Sequence, residues 1–354
     1  LVIIENFIIK KLMIVKKKIL SNEIIKRKNF KNIKKESFHL FSKDLINNTG
    51  DSFSYYIKNT TVLEDGKIFT FNDEIISDYL VFNSLSKFIF IKKILLYFIY
   101  LFQIVLKRLC LENTYLSKNV ILAYNRNSIG YFHWLTDTLP KIIYFKKKYR
   151  NYIFILPAGL KKKFIISSLK KFKVKFLFLK KEKNFTFKNL IYIGNLYPSG
   201  SPRVKILNKL REGLNFNKNN LKRIYISRNK SERRKILNEK ELLTILKKNN
   251  FKTYYLENIS FAKQIKIFSN AKYVVGLHGA GLSNIVWMKN KSYLLELRPE
   301  KDLYLNCYFN LSNLLKINYH YDICNKRKNF QSSKYSDYKV DIDSFQNELN
   351  KILK

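Results

Sequence analysis

The sequence predicts an α/β protein built from two Rossmann-like domains facing a cleft. Three observations carry that expectation. From about residue 119 onward, short apolar runs alternate with amphipathic helical stretches, the pattern of parallel strand–helix units. The alternation is interrupted by two polar breaks, Tyr197-Pro198-Ser199-Gly200-Ser201-Pro202 and Lys218-Asn219-Asn220, which puts a boundary near 215. A buried strand of the second half, Tyr273-Val274-Val275-Gly276-Leu277, runs into a loop of small residues, as strands do where a sheet binds a ligand.

The first 115 residues are the hardest to read. Lysine runs mix with short apolar pieces such as Lys67-Ile68-Phe69-Thr70-Phe71, expected to be a strand. Lys10 and Lys11 interrupt the early apolar residues and no small-residue cleavage site follows, so a signal peptide is not expected; Met13 is a candidate start. Ile94 to Leu106 is thirteen residues long, flanked by Lys92, Lys93, Lys107 and Arg108. That is short of the ~20 residues that span a bilayer. It suits a helix in a membrane interface, and equally a buried core helix. The region 1–115 is therefore assigned a membrane-surface association as an expectation.

Residues 116–215 form the first expected domain. Val120 to Tyr124, Tyr152 to Leu156, Val174 to Leu179 and Leu190 to Ile193 read as strands, with helices over 131–148 and to about Lys171. Residues 216–330 form the second. Arg223 to Ser227, Phe251 to Leu256, Tyr273 to Leu277 and Tyr293 to Leu297 read as strands. Asn238 reads as a helix N-cap with Glu241 in capping-box position, and Ser260 caps the next helix. In the tail, 331–354, Phe345, Leu349 and Ile352 line one side of a last helix, expected to pack back on the first domain.

A chain of 354 residues, 46% apolar, can fill two cores. Its 68 basic and 26 acidic residues give +42, a field that attracts nucleic acid, anionic lipid or phosphorylated substrates. The lysines are spread along the whole chain, which fits a compositional bias better than a nucleic-acid footprint. Cys110, Cys307 and Cys324 are odd in number with no CxxC pair, so neither a disulfide framework nor a zinc site is expected, and a reducing compartment fits.

Three segments carry chemistry. The loop Gly276-Leu277-His278-Gly279-Ala280-Gly281-Leu282-Ser283-Asn284 allows backbone N–H groups to approach a phosphate at a helix start, with His278, Ser283 and Asn284 as added polar groups. The competing reading is a tight strand-to-helix turn. Arg228 ends a strand expected to reach the same crevice and suits a diphosphate, because its fork binds two oxygens. It lies nearer the strand end than Arg233 and Arg234, and a solvated basic face is the alternative. His133 and Asp137 share a helix face and read either as a general base with its orienting partner or as a structural pair.

Taken in order, these segments resemble glycosyltransferase family 61. The match runs through Tyr131-Phe132-His133-Trp134, Asp137, Leu139-Pro140, Ser227-Arg228, Asn238-Glu239, Gln264, the loop Gly276 to Asn284, and Glu296-Leu297-Arg298-Pro299, covering about 119 to 300. Trp287-Met288 stands where the family usually has Phe. The resemblance implies an inverting GT-B transferase moving a hexose or pentose from a nucleotide-sugar to a glycan or lipid-linked acceptor hydroxyl, in surface polysaccharide (capsule) synthesis. It implies His133 or Asp137 as catalytic base, and Arg228, His278, Gly279, Ala280, Gly281, Ser283, Asn284 and Glu296 as donor-binding residues. No cofactor is expected beyond the nucleotide-sugar substrate. No metal is expected either, since the acidic pair Asp341 and Asp343 opens a helix, where carboxylates favour the dipole. The expected location is the cytoplasm, peripheral at the inner face of a membrane. The competing classes are a basic nucleic-acid-binding protein and an inactive scaffold of transferase fold.

Overall fold

The computed structural model describes residues 14–30, 33, 35–70, 72–80, 87–214, 222–232, 234–299, 305–326 and 337–354. Residues 1–13, with Lys10, Lys11 and Met13, and also Phe71 and Arg233, lie outside the described residues. The fold is mixed α/β, in two compact units. The first comprises the described residues up to Glu23 and Thr49–Pro198; the second comprises Ile24–Asn48 and Ser199–Lys354.

The first unit holds β1 (Ile14–Leu20); β2 (Ile24–Lys26) and β3 (Ile46–Asn48) are a small antiparallel ladder of the second unit. The first unit resumes with β4 (Ser52–Val62), β5 (Glu112–Leu122), β6 (Ile153–Leu156), β7 (Phe176–Phe178) and β8 (Lys183–Ile193). Its sheet runs β1-β4-β8-β5-β6-β7. β8, β5, β6 and β7 are parallel, and β4 joins β8 antiparallel. Val120, Ile121, Leu122 and Phe154 to Leu156 are buried, as a parallel sheet covered on both faces requires. From β5 the chain moves to β6 and β7 on one side and returns to β8 on the other, so the carboxyl ends of β5 and β8 form a topological switch point.

The second sheet contains β9 (Lys222–Ile226), β10 (Lys252–Tyr254), β11 (Ala271–Leu277), β12 (Tyr293–Pro299), β13 (Asn318–Lys326) and the short β14 (Tyr338–Lys339), in the order β10-β9-β11-β12-β13-β14. The first five are parallel. Relative to chain order this is the doubly wound 2-1-3-4-5 arrangement, whose switch point lies between β9 and β11. The glycine-rich loop leaves β11 at that place.

The structure departs from the sequence reading at several points, each with a local cause. The units divide after Pro198, within the Tyr197–Pro202 turn cluster and not near 215. The helix Val204–Arg211 belongs to the second unit: Ile206, Leu207 and Leu210 are buried, and the Arg211 guanidinium donates to Met288 O at 2.6 Å. Ile68 makes only an isolated bridge to Val62, because the Glu64–Gly66 turn folds the segment straight back. Asn238 does not cap its helix; its amide donates to Val340 O (2.9 Å) and accepts from Val340 N (3.0 Å), fastening the tail. The last helix, Ile342–Leu353, expected on the first domain, packs within the second unit. Phe345, Leu349 and Ile352 enter the second unit's core with Tyr225, Val275, Leu295 and Leu297, where each contributes about 1.5–3 kcal/mol of burial. Asp341 caps this helix, accepting from Ser344 N at 3.0 Å, and Ser260 caps its own in the expected way.

Candidate active site

The site residues of the second unit assemble around the switch point of its sheet. Arg228 follows β9, and its Nε donates to Arg234 O (3.1 Å) while Nη2 donates to Ser231 Oγ (3.1 Å). These bonds hold the guanidinium against Gly279, Nη1 nearest. A Cβ added to Gly279 would stand 2.5 Å from Arg228 Nη1, so glycine is what allows the loop and the arginine to meet. Gly276 is needed for a similar reason, since a Cβ there would lie 2.9 Å from Leu282 Cδ2. The eight-residue 3-10 helix Ala280–Trp287 begins at this point, and helix-start N–H groups favour an anion.

His278 is oriented from beneath. Its Nδ1 lies 2.5 Å from Glu296 Oε1, and its ring meets Tyr308 edge-on at 5.1 Å. The Tyr308 hydroxyl donates to Gly279 O at 2.5 Å, fixing the loop's carbonyl. Glu296 is fully buried, and Tyr319 donates to its second oxygen at 2.6 Å. Arg298 then donates to Tyr319 Oη (3.0 Å) and Asn306 Oδ1 (3.0 Å), and Asn306 donates to Asp44 (2.8 Å). Arg298 also lies over the Phe41 ring. The relay ends in the 24–48 segment, where Arg27 binds Asp44 O and Ser201. Glu296 thus acts on His278, setting its tautomer and angle.

Burial by itself would raise the Glu296 pKa; His278 and Arg298 outweigh it and hold the carboxyl below its ordinary range. A depressed folded-state value contributes stability above the unfolded pKa, lost as pH falls through the folded one. Glu296→Gln should therefore flatten the acid limb of a thermal-unfolding series run downward from neutral pH. A variant whose acid limb matches the parent would show that Glu296 does not carry this dependence.

Ser283 and Asn284 are buried inside the turn. Ser283 donates to Ala280 O (2.6 Å). Asn284 donates to Gln264 Oε1 (2.9 Å) and Gly281 O (3.0 Å) and accepts from Trp287 Nε1 (3.1 Å). Both shape the loop that Gly279, Ala280 and Gly281 present. Glu239 went unread as a site residue: buried at its helix start, it accepts from Tyr225 Oη and Ser227 Oγ, both at 2.7 Å, and so sets the strand end that carries Arg228. An acidic residue opening the helix after Ser-Arg was the signal available for it.

The first unit places His133 and Asp137 beside its own switch point. Asn125, just past β5, caps the turn Arg126–Ile129 and bridges to Asn195, past β8, at 3.0 Å. The helical run 131–145 follows, with a π turn over Trp134–Thr138. Pro140 has no N–H for the Thr136 carbonyl four residues back, and the Tyr197 hydroxyl donates to that carbonyl instead, at 2.7 Å. His133 Nδ1 sits 3.0 Å from Asp137 Oδ2, and Thr136 Oγ1 is 2.9 Å from Asp137 Oδ1. The imidazole is about one-third exposed (34%), the carboxylate 12%. Trp134, fully buried, donates to Ser168 Oγ at 2.9 Å and anchors the turn. Behind it lies Lys141, which no sequence signal marked. It is buried, donates to Ile193 O and Gly194 O, and burial lowers its pKa to about 8 against the pull of Asp78 and Asp137.

Among the described residues, no group of three His, Cys, Asp or Glu side chains stands close enough to hold a metal ion. Cys110, Cys307 and Cys324 are free thiols.

Comparison with known proteins points to one family. Residues 131–295, from the His133 helix to β12, match the Glycosyltransferase 61 family. Similar proteins include the EGF domain-specific O-linked N-acetylglucosamine transferases of Drosophila melanogaster (34% identical over 98 residues, 27% of this chain and 18% of the relative), Gallus gallus (27% over 140 residues, 35% and 25%) and Mus musculus (32% over 102 residues, 27% and 19%). The aligned part of this chain thus spans about a fifth to a quarter of those relatives. Across residues 131–295, the chain is a member of glycosyltransferase family 61.

Proposed function

We propose that this chain transfers a sugar from a nucleotide-sugar donor to an acceptor hydroxyl, with inversion, in a GT-B arrangement. The observation that carries the reading is the Arg228 guanidinium laid on Gly279 at the β9/β11 switch point, next to a helix start and the oriented His278. This set of donors suits a diphosphate leaving group, whose charge grows as the glycosidic bond breaks. His133 is the proposed base, held by Asp137 through Nδ1 with Nε2 as the working nitrogen. In one displacement, the acceptor oxygen gives its proton to His133 and bonds the anomeric carbon. The bond from that carbon to the diphosphate breaks with its electron pair going to the diphosphate oxygen. Asp137 stabilises the imidazolium that results.

N-acetylglucosamine is the first donor sugar to test, since the relatives carry it in their names. The acceptor hydroxyl belongs to a glycan, a lipid-linked saccharide or a protein module, and a screen over the three classes separates surface polysaccharide synthesis from protein glycosylation. Purified chain is expected to release nucleoside diphosphate from one donor class and to unfold at a higher temperature with one base type. Stabilisation by oligonucleotide alone, with no donor hydrolysis, would favour the nucleic-acid-binding reading.

Charge neutralisation by arginine also leads us to propose that transfer proceeds without a divalent metal. Turnover should survive a chelator. Abolition by the chelator and recovery with manganese would contradict this.

A further inference from the structure

The helix Lys87–Cys110 carries two apolar faces, and only one has a partner among the described residues. Tyr100 and Ile104 are buried in a cluster with Leu63, Ile76 and Leu80, and the Tyr100 hydroxyl donates to Ile68 O at 3.2 Å. Lys107 ties the helix end to Glu64 (2.8 Å) and Asp65 (3.0 Å). On the other side, Leu95, Phe98, Phe102 and Leu109 are 58, 63, 66 and 74% exposed, with Leu106 between them. Their spacing of three and four residues makes one straight stripe along about four turns. Soluble chains rarely leave a contiguous apolar strip of this size uncovered.

Charge decides what covers it. The helix sequence carries Lys87, Lys92, Lys93 and Arg108 besides the Lys107 that Glu64 and Asp65 neutralise, and no acidic residue of its own, in a chain of net charge +42. A second copy would bring the same charge and be repelled, whereas an anionic surface is attracted. The helix is not long and apolar enough to cross a membrane, and an amphipathic helix with basic ends lies in the headgroup region. We propose that this stripe docks the chain onto an anionic lipid bilayer, with Phe98 and Phe102 inserted among the acyl chains and the chain's net positive charge drawn to the headgroups. The surface is distinct from the residues assigned to sugar transfer, and its test does not depend on turnover.

The experiment is sedimentation of the full chain with vesicles of phosphatidylcholine alone and with vesicles that also contain phosphatidylglycerol. The expected result is strong, salt-sensitive binding to the anionic vesicles and weak binding to the neutral ones. Phe98→Glu/Phe102→Glu should lower that affinity about tenfold or more, from the lost apolar burial. Phe98→Ser/Phe102→Ser, which adds no charge, should lower it in the same direction, and both variants should keep the parent's unfolding temperature. Three results would overturn the proposal. One is no sedimentation with either vesicle. Another is undiminished binding by the serine variant, which would leave charge alone as the cause. The third is a concentration-dependent dimer that the variants abolish without any vesicle binding, which would make the stripe a contact between copies.

Discussion

Replacing His133 with Ala should lower turnover by about 10²- to 10⁴-fold while leaving donor affinity within a few-fold of the parent, the range expected for loss of a general base. The argument rests on the 3.0 Å contact to Asp137 and on where the imidazole sits. It sits just ahead of a π turn, Trp134–Thr138, whose path is set by Pro140, by the Tyr197 hydroxyl and by the buried Trp134. Asp137→Asn should lower turnover less, because an amide can still contact the ring but no longer stabilises an imidazolium. Its effect should appear in kcat before KM, and Asp137→Asn combined with His133→Ala should be no worse than His133→Ala alone. Steady-state turnover with fixed donor and acceptor checks all three variants. Unchanged turnover in both single variants would leave a structural pair.

The second large effect is expected at Arg228. Arg228→Ala should reduce kcat/KM by about 10²- to 10³-fold, since the guanidinium meets the diphosphate both in the ground state and as charge develops. Arg228→Lys should recover little, because a single ammonium lacks the fork and loses either the Arg234 O or the Ser231 contact. Gly279→Ala should resemble a mild Arg228 variant, since the new methyl displaces the guanidinium without removing it. Near-parent kcat/KM in Gly279→Ala would show that the arginine's seat over the loop is unimportant. Near-parent activity in Arg228→Ala would remove it from the donor site.

Much of this arrangement was legible before any coordinates, for local reasons. β6, β9, β11, β12 and the Val120–Leu122 end of β5 are short apolar runs, whereas the more polar Glu112–Asn119 part of β5 was not read as strand, and His133–Asp137 lie four apart on one helix. The Gly276–Asn284 loop announces itself by composition. What stayed hidden depends on pairings distant in sequence. Nothing local says that Asp44 meets Asn306 and Asn310, more than 260 residues away, so the 24–48 segment could not be assigned to the second unit. An amphipathic stripe likewise shows that Phe345, Leu349 and Ile352 need a partner without saying which, and the partner is the second unit's own sheet. Asn238 looked like a cap because Asn and Glu three residues apart satisfy the pattern; the tail's Val340 competes for the same amide and wins. The role of Glu296 was visible only in part. Its place in the Glu-Leu-x-Pro strand end pointed to the site, while its complete burial between His278 and Tyr319 makes it a support for the imidazole.

The central claim is a division of labour: the second unit holds the donor diphosphate through Arg228 and the His278 loop, and the first unit supplies the base. Calorimetric titration of the nucleoside diphosphate identified in the donor screen, into the parent, Arg228→Ala and His133→Ala, tests it most directly. The account predicts at least about tenfold weaker binding for Arg228→Ala, from loss of a charge-assisted hydrogen-bond fork, and parent-like binding for His133→Ala. Parent-like binding in Arg228→Ala, or binding lost in His133→Ala with Arg228→Ala unaffected, would contradict it.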